Sequence, residues 1–201
     1  MSIVSEIERI KNNISSAYSE CNDKKATMPN IQNSENLPST IASITGGANF
    51  EITNASYLFY TNYRLDYLHE LCDLIDESCQ MFYRTFSDCD ELVEVPLLYL
   101  GSSDYIYNMF SNCPNITTIH GLADLGKAYW VGQNANYARY SLDLSVSTKL
   151  TYESLMTVIN DLYDIKSKGC KAQQLILGDE NLAKLTADEI GIATSKGWAV
   201  S

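Results

Sequence analysis

A motif of ten residues occurs twice in this 201-residue chain, and the distance between its copies constrains the fold more than any other feature. Residues 86–95 read FSDCDELVEV and residues 110–119 read FSNCPNITTI, an offset of 24. Weaker copies at 145–151 and 178–185 each follow a short apolar run. One such unit cannot bury its apolar side alone, so the repeat predicts units that stack and share one continuous core.

The repeat also explains two of the six cysteines. Cys89 and Cys113 occupy the same position of the motif, where a small, weakly polar side chain would pack in a column along the stack. A disulfide between them is the alternative. No two cysteines have C-x-x-C spacing, and the chain has only two histidines, so neither a metal nor another cofactor is expected.

The first 21 residues predict a helix with an apolar seam. Spacings of four and three place small or branched apolar residues along one side, as in a heptad pattern. Isoleucine at both core positions favours parallel trimers, so the seam predicts a homotrimer. A single amphipathic helix packed on its own domain is the alternative. The predicted oligomerisation residues are Ile3, Ile7, Ile10, Ile14 and Ala17.

A domain boundary is predicted near residue 46. Pro29 marks the end of the first helix, because the residue before a proline is pushed out of the helical region. A short amphipathic segment at 34–44 then leads to Gly46 and Gly47, which favour a hinge. We therefore predict a helical module at 1–46 and a repeat domain at 47–201.

Two helices and a last strand are predicted among the later repeats. Residues 152–166 carry apolar side chains at helical spacing, with Thr151 as the N-cap. Thr186 is predicted to cap a second, short helix that ends near Gly197, and residues 198–200 would form a terminal strand. Together with the repeats, these elements predict a mixed α/β fold.

The shared motif, Phe-Ser-x-Cys-x-x-Leu/Ile-x-x-Val/Ile, resembles the leucine-rich repeats of the BspA type over about residues 80–185. The ends of the chain, with IERIKNNISSAY and KATMP near the start and KLTYESLMTVINDLYD at 149–164, are similar to those of phage tail, baseplate and fibre proteins. The resemblance implies a coiled-coil-like helical module followed by a short leucine-rich-repeat-like solenoid with interspersed helices. It also implies a structural or adhesive role in a virion, with other virion proteins as partners and no catalytic residue.

Charge and motifs disfavour several classes of function. The chain carries 25 acidic and 14 basic residues, a net charge of −11, which argues against nucleic acid as a partner. Charged residues between Glu6 and Lys11 interrupt the start of the chain, so neither a signal peptide nor a membrane insertion is expected. The sequence lacks the G-x-S-x-G, H-E-x-x-H and Walker motifs, so we do not expect an enzyme.

An acidic segment extends from Asp66 to Glu94, where nine carboxylates are opposed by Arg84 alone. Such a run of charge is typical of a solvated face that keeps a protein soluble. A calcium site or recognition surface is one alternative, and a pair of carboxylates for glycoside hydrolysis is another.

Tyrosine is the residue type that points to binding. The chain has 14 tyrosines and five phenylalanines, and the middle third combines tyrosine with asparagine and serine, as binding faces for sugars or proteins do. Half-buried packing at repeat positions is the alternative. The predicted binding face consists of Tyr99, Tyr105, Tyr107, Tyr129 and Trp130.

The expected function is therefore a non-enzymatic adhesion protein of a phage virion, as a fibre, baseplate or capsid decoration. Its expected partner outside the virion is a glycan or a protein of the host cell surface. A bacterial protein-interaction module and a cell-wall glycosidase are the alternatives.

Overall fold

The computed structural model describes residues 15, 17, 19, 52–61, 72, 75, 77–133 and 140–201. The chain divides into two compact units, Met1–Phe50 and Glu51–Ser201. In the first unit, Ser15, Ala17 and Ser19 are helical, and Ala17 is half-buried. The other predicted oligomerisation residues lie outside the described residues, so the trimer seam and the module at 1–46 stay predictions. These residues are Ile3, Ile7, Ile10 and Ile14.

The second unit is a mixed α/β structure of short strands and helices, which confirms the predicted class. Its strands are β1 (Glu94–Val95), β2 (Leu98–Tyr99), β3 (Thr118–Ile119), β4 (Leu122–Ala123), β5 (Leu142–Asp143), β6 (Gln173–Ile176) and β7 (Trp198–Val200). The helices whose bounds are described are α1 (Tyr152–Asp161) between β5 and β6, then α2 (Asp179–Leu182) and α3 (Ala187–Ser195) between β6 and β7.

The strand register equals the offset of the sequence repeat. β1 pairs in parallel with β3, and β2 pairs in parallel with β4, so that Glu94 lies opposite Thr118 and Leu98 opposite Leu122. Each pair is 24 residues apart, which is the distance between the two copies of the motif. Equivalent segments of the repeat therefore lie side by side, and we call each such turn of the chain a coil.

One coil precedes the two that the motif reveals. Parallel bridges join Asn54 to Met81 and Met81 to Tyr105, so residues from 54, from 81 and from 105 begin equivalent segments of three consecutive coils. The backbone N–H of Phe59 donates to the Thr85 carbonyl at 2.9 Å. In the same way, the N–H of Phe86 donates to the Met109 carbonyl at 2.9 Å. The first offset is 27 residues and the second is 24. The period of 24 therefore does not extend to the first coil.

The backbone turns at the same two places in each of the three coils. The first place is Tyr57, Arg84 or Asn108, with φ of 61°, 52° and 56°. The second place is Thr61, Asp88 or Asn112, with φ of 54°, 61° and 56°. This left-handed region costs a residue with a side chain about 1–2 kcal/mol, least for Asn and Asp. The hydrogen bonds between coils stabilise the backbone in this conformation.

Phenylalanine rings run through the core at one position of the repeat. Phe59 stacks on Phe86 with ring centroids 5.0 Å apart, and Phe86 stacks on Phe110 at 5.4 Å. All three rings are buried. The offset-stacked arrangement contributes about 0.5–1.5 kcal/mol per pair beyond the burial of apolar area.

Buried polar side chains form a second column beside the rings. The Cys89 thiol donates to the Phe59 carbonyl and the Cys113 thiol to the Phe86 carbonyl, both at 2.9 Å. Ser147 Oγ donates to the Cys113 carbonyl at 2.9 Å, and Asn181 Nδ2 donates to the carbonyls of Leu144 and Ser147. Each of these side chains therefore satisfies the backbone of the preceding coil. Cys113 forms no disulfide, so the alternative bridge to Cys89 is wrong.

Helix α1 takes the place of a strand in the fourth coil. The β3 and β4 residues that precede it receive their partners from its side chains. Ile119 N–H donates to Ser154 Oγ at 3.0 Å, and Leu122 N–H donates to Asp161 Oδ2 at 2.7 Å. Ser154 Oγ also donates to the Thr117 carbonyl at 3.2 Å. The helix lies within the 34 residues that separate Ser147 from Asn181, the next residue of the polar column.

Both predicted helix caps are confirmed, but the first helix is shorter than predicted. Thr151 accepts from the Ser154 N–H, and Thr186 forms a capping box with Glu189. α1 ends at Asp161 rather than at residue 166, because Leu162 leaves the helix to form a parallel bridge with Leu125. The terminal strand is confirmed as β7, which pairs in parallel with β6.

Candidate functional site

Five tyrosines from the first three coils contact one another and form what we call the tyrosine cluster. Its members are Tyr57, Tyr60, Tyr83, Tyr105 and Tyr107. Tyr83 stacks on Tyr105 with ring centroids 5.3 Å apart and on Tyr107 at 5.8 Å. The Tyr57 ring meets Tyr83 edge-on at 5.1 Å and Tyr60 edge-on at 5.5 Å. Tyr57 is 41% exposed and the other four are half-buried, so the cluster reaches the surface.

The repeat itself assembles the cluster. Tyr83 and Tyr107 are equivalent residues, 24 apart, and the backbone between them is held by the hydrogen bond from Arg84 N–H to the Tyr107 carbonyl at 3.1 Å. Neighbouring parallel strands lie about 4.8 Å apart, which is close to the stacking distance of aromatic rings. Tyrosine at one position of successive coils therefore stacks without rearrangement.

Stacking decides which atoms a ligand can reach. Ring faces that meet inside the cluster are covered, which leaves ring edges and hydroxyl groups for contact. The side chains of Tyr57 and Tyr83 form a hydrogen bond that raises the pKa of Tyr57 above its ordinary value, with a smaller contribution from burial.

Among the described residues, one cation borders the cluster. The guanidinium carbon of Arg84 lies 5.7 Å from the centroid of the Tyr83 ring, within the range of a cation–π interaction. Arg84 Nε is buried and has no hydrogen-bond partner. The arrangement combines hydroxyl groups, ring edges and one guanidinium on a stacked backbone, which suits binding rather than acid–base chemistry.

The structure divides the predicted binding face. Tyr105 and Tyr107 belong to the tyrosine cluster, together with Tyr83, which the repeat alignment pairs with Tyr107. Tyr99 lies on β2 and is 42% exposed, whereas Trp130 is 48% exposed and packs edge-on against Tyr140. The two exposed rings are not joined to the cluster by any ring contact that the described residues show.

The prediction is wrong for Tyr129, which is 1% exposed. Its hydroxyl donates to the Tyr140 carbonyl at 3.0 Å, and its ring packs against Trp198. Burial raises the pKa of Tyr129 far above its ordinary value. Tyr129 is therefore a core residue whose polar tip is satisfied by the backbone, and it cannot contact a partner.

The acidic segment is held by side-chain contacts where the structure describes it. Asp88 accepts from Asn112 Nδ2 at 2.6 Å and from Ser87 Oγ at 3.1 Å, and Glu94 contacts His120. The Asp90 carbonyl accepts from Asn115 Nδ2 at 2.7 Å. Within the described part of the chain, no three Asp, Glu, His or Cys side chains are placed to hold a metal ion.

The chain was compared with models of protein families, with curated proteins and with solved structures, and none of the three comparisons finds a match. None of the helices in the described ranges has the length and apolar character needed to cross a membrane.

Proposed function

We propose that this chain is a non-enzymatic adhesion protein of a phage virion, and that it presents the tyrosine cluster to the host cell surface. The carrying observation is the cluster itself, in which rings from three successive coils lie together and reach the surface. Within this proposal, the second unit is a short leucine-rich-repeat-like solenoid. The first unit is a coiled-coil-like module that joins three chains and attaches them to other virion proteins.

The solenoid part of the proposal is supported by the agreement between sequence period and strand register. Both are 24 residues for β1 with β3 and for β2 with β4. The stacked phenylalanines and the column from Cys89 to Asn181 run from one coil to the next, as expected where each unit shares its core with its neighbours.

The binding part is supported by the packing of the rings against one another in the cluster. Tyrosine offers a large amphipathic contact area and loses little side-chain entropy on binding. Here the rings already pack against one another, so a further part of the ordering cost is met before a ligand arrives. A single cluster would still bind weakly. A trimer built through Ile3, Ile7, Ile10, Ile14 and Ala17 would raise the overall affinity by presenting three clusters at once.

The adhesion test measures binding of the fluorescently labelled full chain to a panel of Gram-positive and gut bacterial strains. A variant with Tyr83→Ala and Tyr107→Ala should bind to responsive strains at least tenfold less than the unmodified chain, since it removes the centre of the stack. Tyr152→Ala is the matched control, because Tyr152 is an exposed tyrosine of α1 outside the cluster. Equal binding by the double variant, with its circular dichroism unchanged, would contradict the proposal.

The virion part needs a separate test. Phage particles released from cells that encode the chain should be labelled by gold-conjugated antibodies against it in electron micrographs. A protein found in the cell fraction and missing from purified particles would instead support a bacterial interaction module. Release of soluble sugar from purified cell walls by the full chain would support the glycosidase alternative.

A further inference from the structure

We infer that Arg84 and Tyr83 form an oxyanion-binding site, and that the ligand of the tyrosine cluster is a polysaccharide bearing phosphate or carboxylate groups. This inference rests on the proposed adhesive function and names the class of ligand that the cluster would take. It is carried by the position, the contacts and the unused donors of Arg84.

Arg84 has a positive charge that no described carboxylate neutralises. The ion pairs among the described residues join His120 with Glu94 and Lys127 with Asp124. Arg84 is the only arginine in the described ranges, and its guanidinium contacts the Tyr83 ring instead of an acid.

The lysines show the contrast. Lys184 Nζ donates to the carbonyls of Thr148 and Leu150, and Lys196 Nζ donates to those of Ile159 and Asn160. Lys168 Nζ likewise donates to the carbonyls of Lys127 and Tyr129. These ammonium groups hold coils together. Arg84 makes no such backbone bond through its side chain, and its Nε is buried without an acceptor.

The backbone fixes where the Arg84 side chain begins. Arg84 has φ of 52°, its N–H donates to the Tyr107 carbonyl at 3.1 Å, and its carbonyl accepts from Ser87 N–H at 3.2 Å. When the face of a guanidinium packs against an aromatic ring, the N–H groups at the edge of the guanidinium can still donate to an anion. Its planar set of donors matches the paired oxygens of a phosphate or a carboxylate.

The neighbouring phenol adds a donor. A tyrosine hydroxyl can donate as well as accept, and the Tyr83 ring lies beside the Arg84 guanidinium, with 5.7 Å between the guanidinium carbon and the ring centroid. Guanidinium and phenol together therefore present several donors to one oxyanion. Charge-assisted hydrogen bonds of this kind are roughly twice as strong as neutral ones.

Two features favour a polysaccharide over other carriers of anionic groups. The net charge of −11 repels densely charged polyanions such as nucleic acids, and it tolerates a polymer in which neutral groups separate the charges. Protein partners are recognised mainly through a desolvated apolar centre, whereas the stack leaves ring edges and hydroxyl groups accessible. Sugar hydroxyls can both donate to and accept from phenols.

The experiment measures binding of the intact chain to immobilised polymers by biolayer interferometry. Poly(glycerol phosphate) supplies phosphate, polygalacturonate supplies carboxylate, dextran is the neutral sugar polymer, and polyglutamate is the acidic peptide. We expect binding to at least one of the two anionic polymers that is tenfold or more above that to dextran and polyglutamate.

The decisive variant is Arg84→Asn, which should lose at least tenfold in binding to the preferred anionic polymer. Asn already occupies the equivalent place at 108 with φ of 56°, so this change keeps the backbone of the coil. Lys171→Gln removes one positive charge from an exposed residue elsewhere and should bind like the unmodified chain. Thermal unfolding of both variants checks that the fold is kept.

Three outcomes would overturn the inference: binding to dextran as strong as to the anionic polymers, preference for polyglutamate, or unchanged binding by Arg84→Asn. The proposed adhesion fails separately. If Tyr83→Ala with Tyr107→Ala abolishes attachment to cells while Arg84→Asn attaches normally, adhesion through the cluster stands and the oxyanion site does not.

Discussion

The thiol of Cys113 donates a hydrogen bond to the backbone carbonyl of Phe86 in the preceding coil, with sulfur and oxygen 2.9 Å apart. Cys89 makes the same contact with Phe59 one coil earlier. The two cysteines of the motif thus serve as buried donors that join consecutive coils, and their chemistry as thiols is incidental to that role. Both the stability of the stack and its response to pH should depend on this contact.

Replacing Cys113 with alanine should lower the free energy of unfolding by about 0.5–1.5 kcal/mol, because the buried Phe86 carbonyl loses its side-chain donor and keeps only the Cys89 N–H at 3.3 Å. Cys113→Ser keeps a donor at the same place and should cost less. Urea unfolding followed by circular dichroism measures the difference. Cys170→Ala, at a half-buried cysteine, is the control. The contact is unimportant if the alanine and serine variants of Cys113 unfold at the same urea concentration.

Alkaline pH should destabilise the fold through the same residue. Burial raises the pKa of Cys113 from its ordinary value of 9.0 to about 12. Between these values the unfolded chain loses a proton that the folded chain keeps, so the free energy of unfolding falls as pH rises from about 9 to about 12. Below pH 9 both states hold the proton and this contribution is constant.

The pH series should be run on the unmodified chain and on Cys113→Ser, whose hydroxyl does not ionise in this range. The serine variant should show a shallower loss of stability above pH 9. The remaining loss is expected, because burial also raises the pKa of Tyr129 and other groups titrate in the unfolded chain. Parallel curves for the two proteins would exclude Cys113 as a source of the alkaline destabilisation.

Ser154→Ala should destabilise the second unit by about 1–3 kcal/mol. The Ser154 hydroxyl accepts from the Ile119 N–H and donates to the Thr117 carbonyl. Its removal takes this partner from both backbone groups. Thermal unfolding monitored by calorimetry gives the change. Ser195→Ala, at an exposed serine at the end of α3, should stay within about 0.5 kcal/mol of the unmodified chain.

The N-terminal seam predicts a trimer, and acidic residues introduced into the seam should dissociate it into single chains. Light scattering after size exclusion should give three times the chain mass for the full protein, and the mass of one chain when Ile7→Glu and Ile14→Glu are combined. A buried carboxylate in a coiled-coil seam is costly, which is the reason for the expected change. Glu8→Gln, outside the seam, should stay trimeric. A single chain mass for the unmodified protein would refute the seam.

Some features of the second unit follow from the residues alone. The offset of 24 between the motif copies predicts which residues lie opposite one another, and Leu98 indeed faces Leu122. Thr151 and Thr186 cap helices because a hydroxyl can satisfy the first backbone N–H groups locally. These outcomes depend on short-range geometry or on a repeat that is written twice, so the sequence by itself determines them.

Other features were decided by packing between distant residues. Tyr129 and Trp130 are neighbours in the chain, yet one is buried against Trp198 and the other is exposed. Helix α1 ends at Asp161 because Leu162 bonds to the third coil, a partner 37 residues away that no local pattern identifies.

The tyrosine cluster shows both contributions. The offset of 24, extended three residues before the motif, pairs Tyr83 with Tyr107, so the sequence determined that two rings would occupy equivalent positions. Only the tertiary structure brought Tyr57 to them, because the first coil has an offset of 27 and its register depends on backbone hydrogen bonds with the second. Position within a repeat is written in the order of residues, whereas exposure and neighbours depend on how the coils stack.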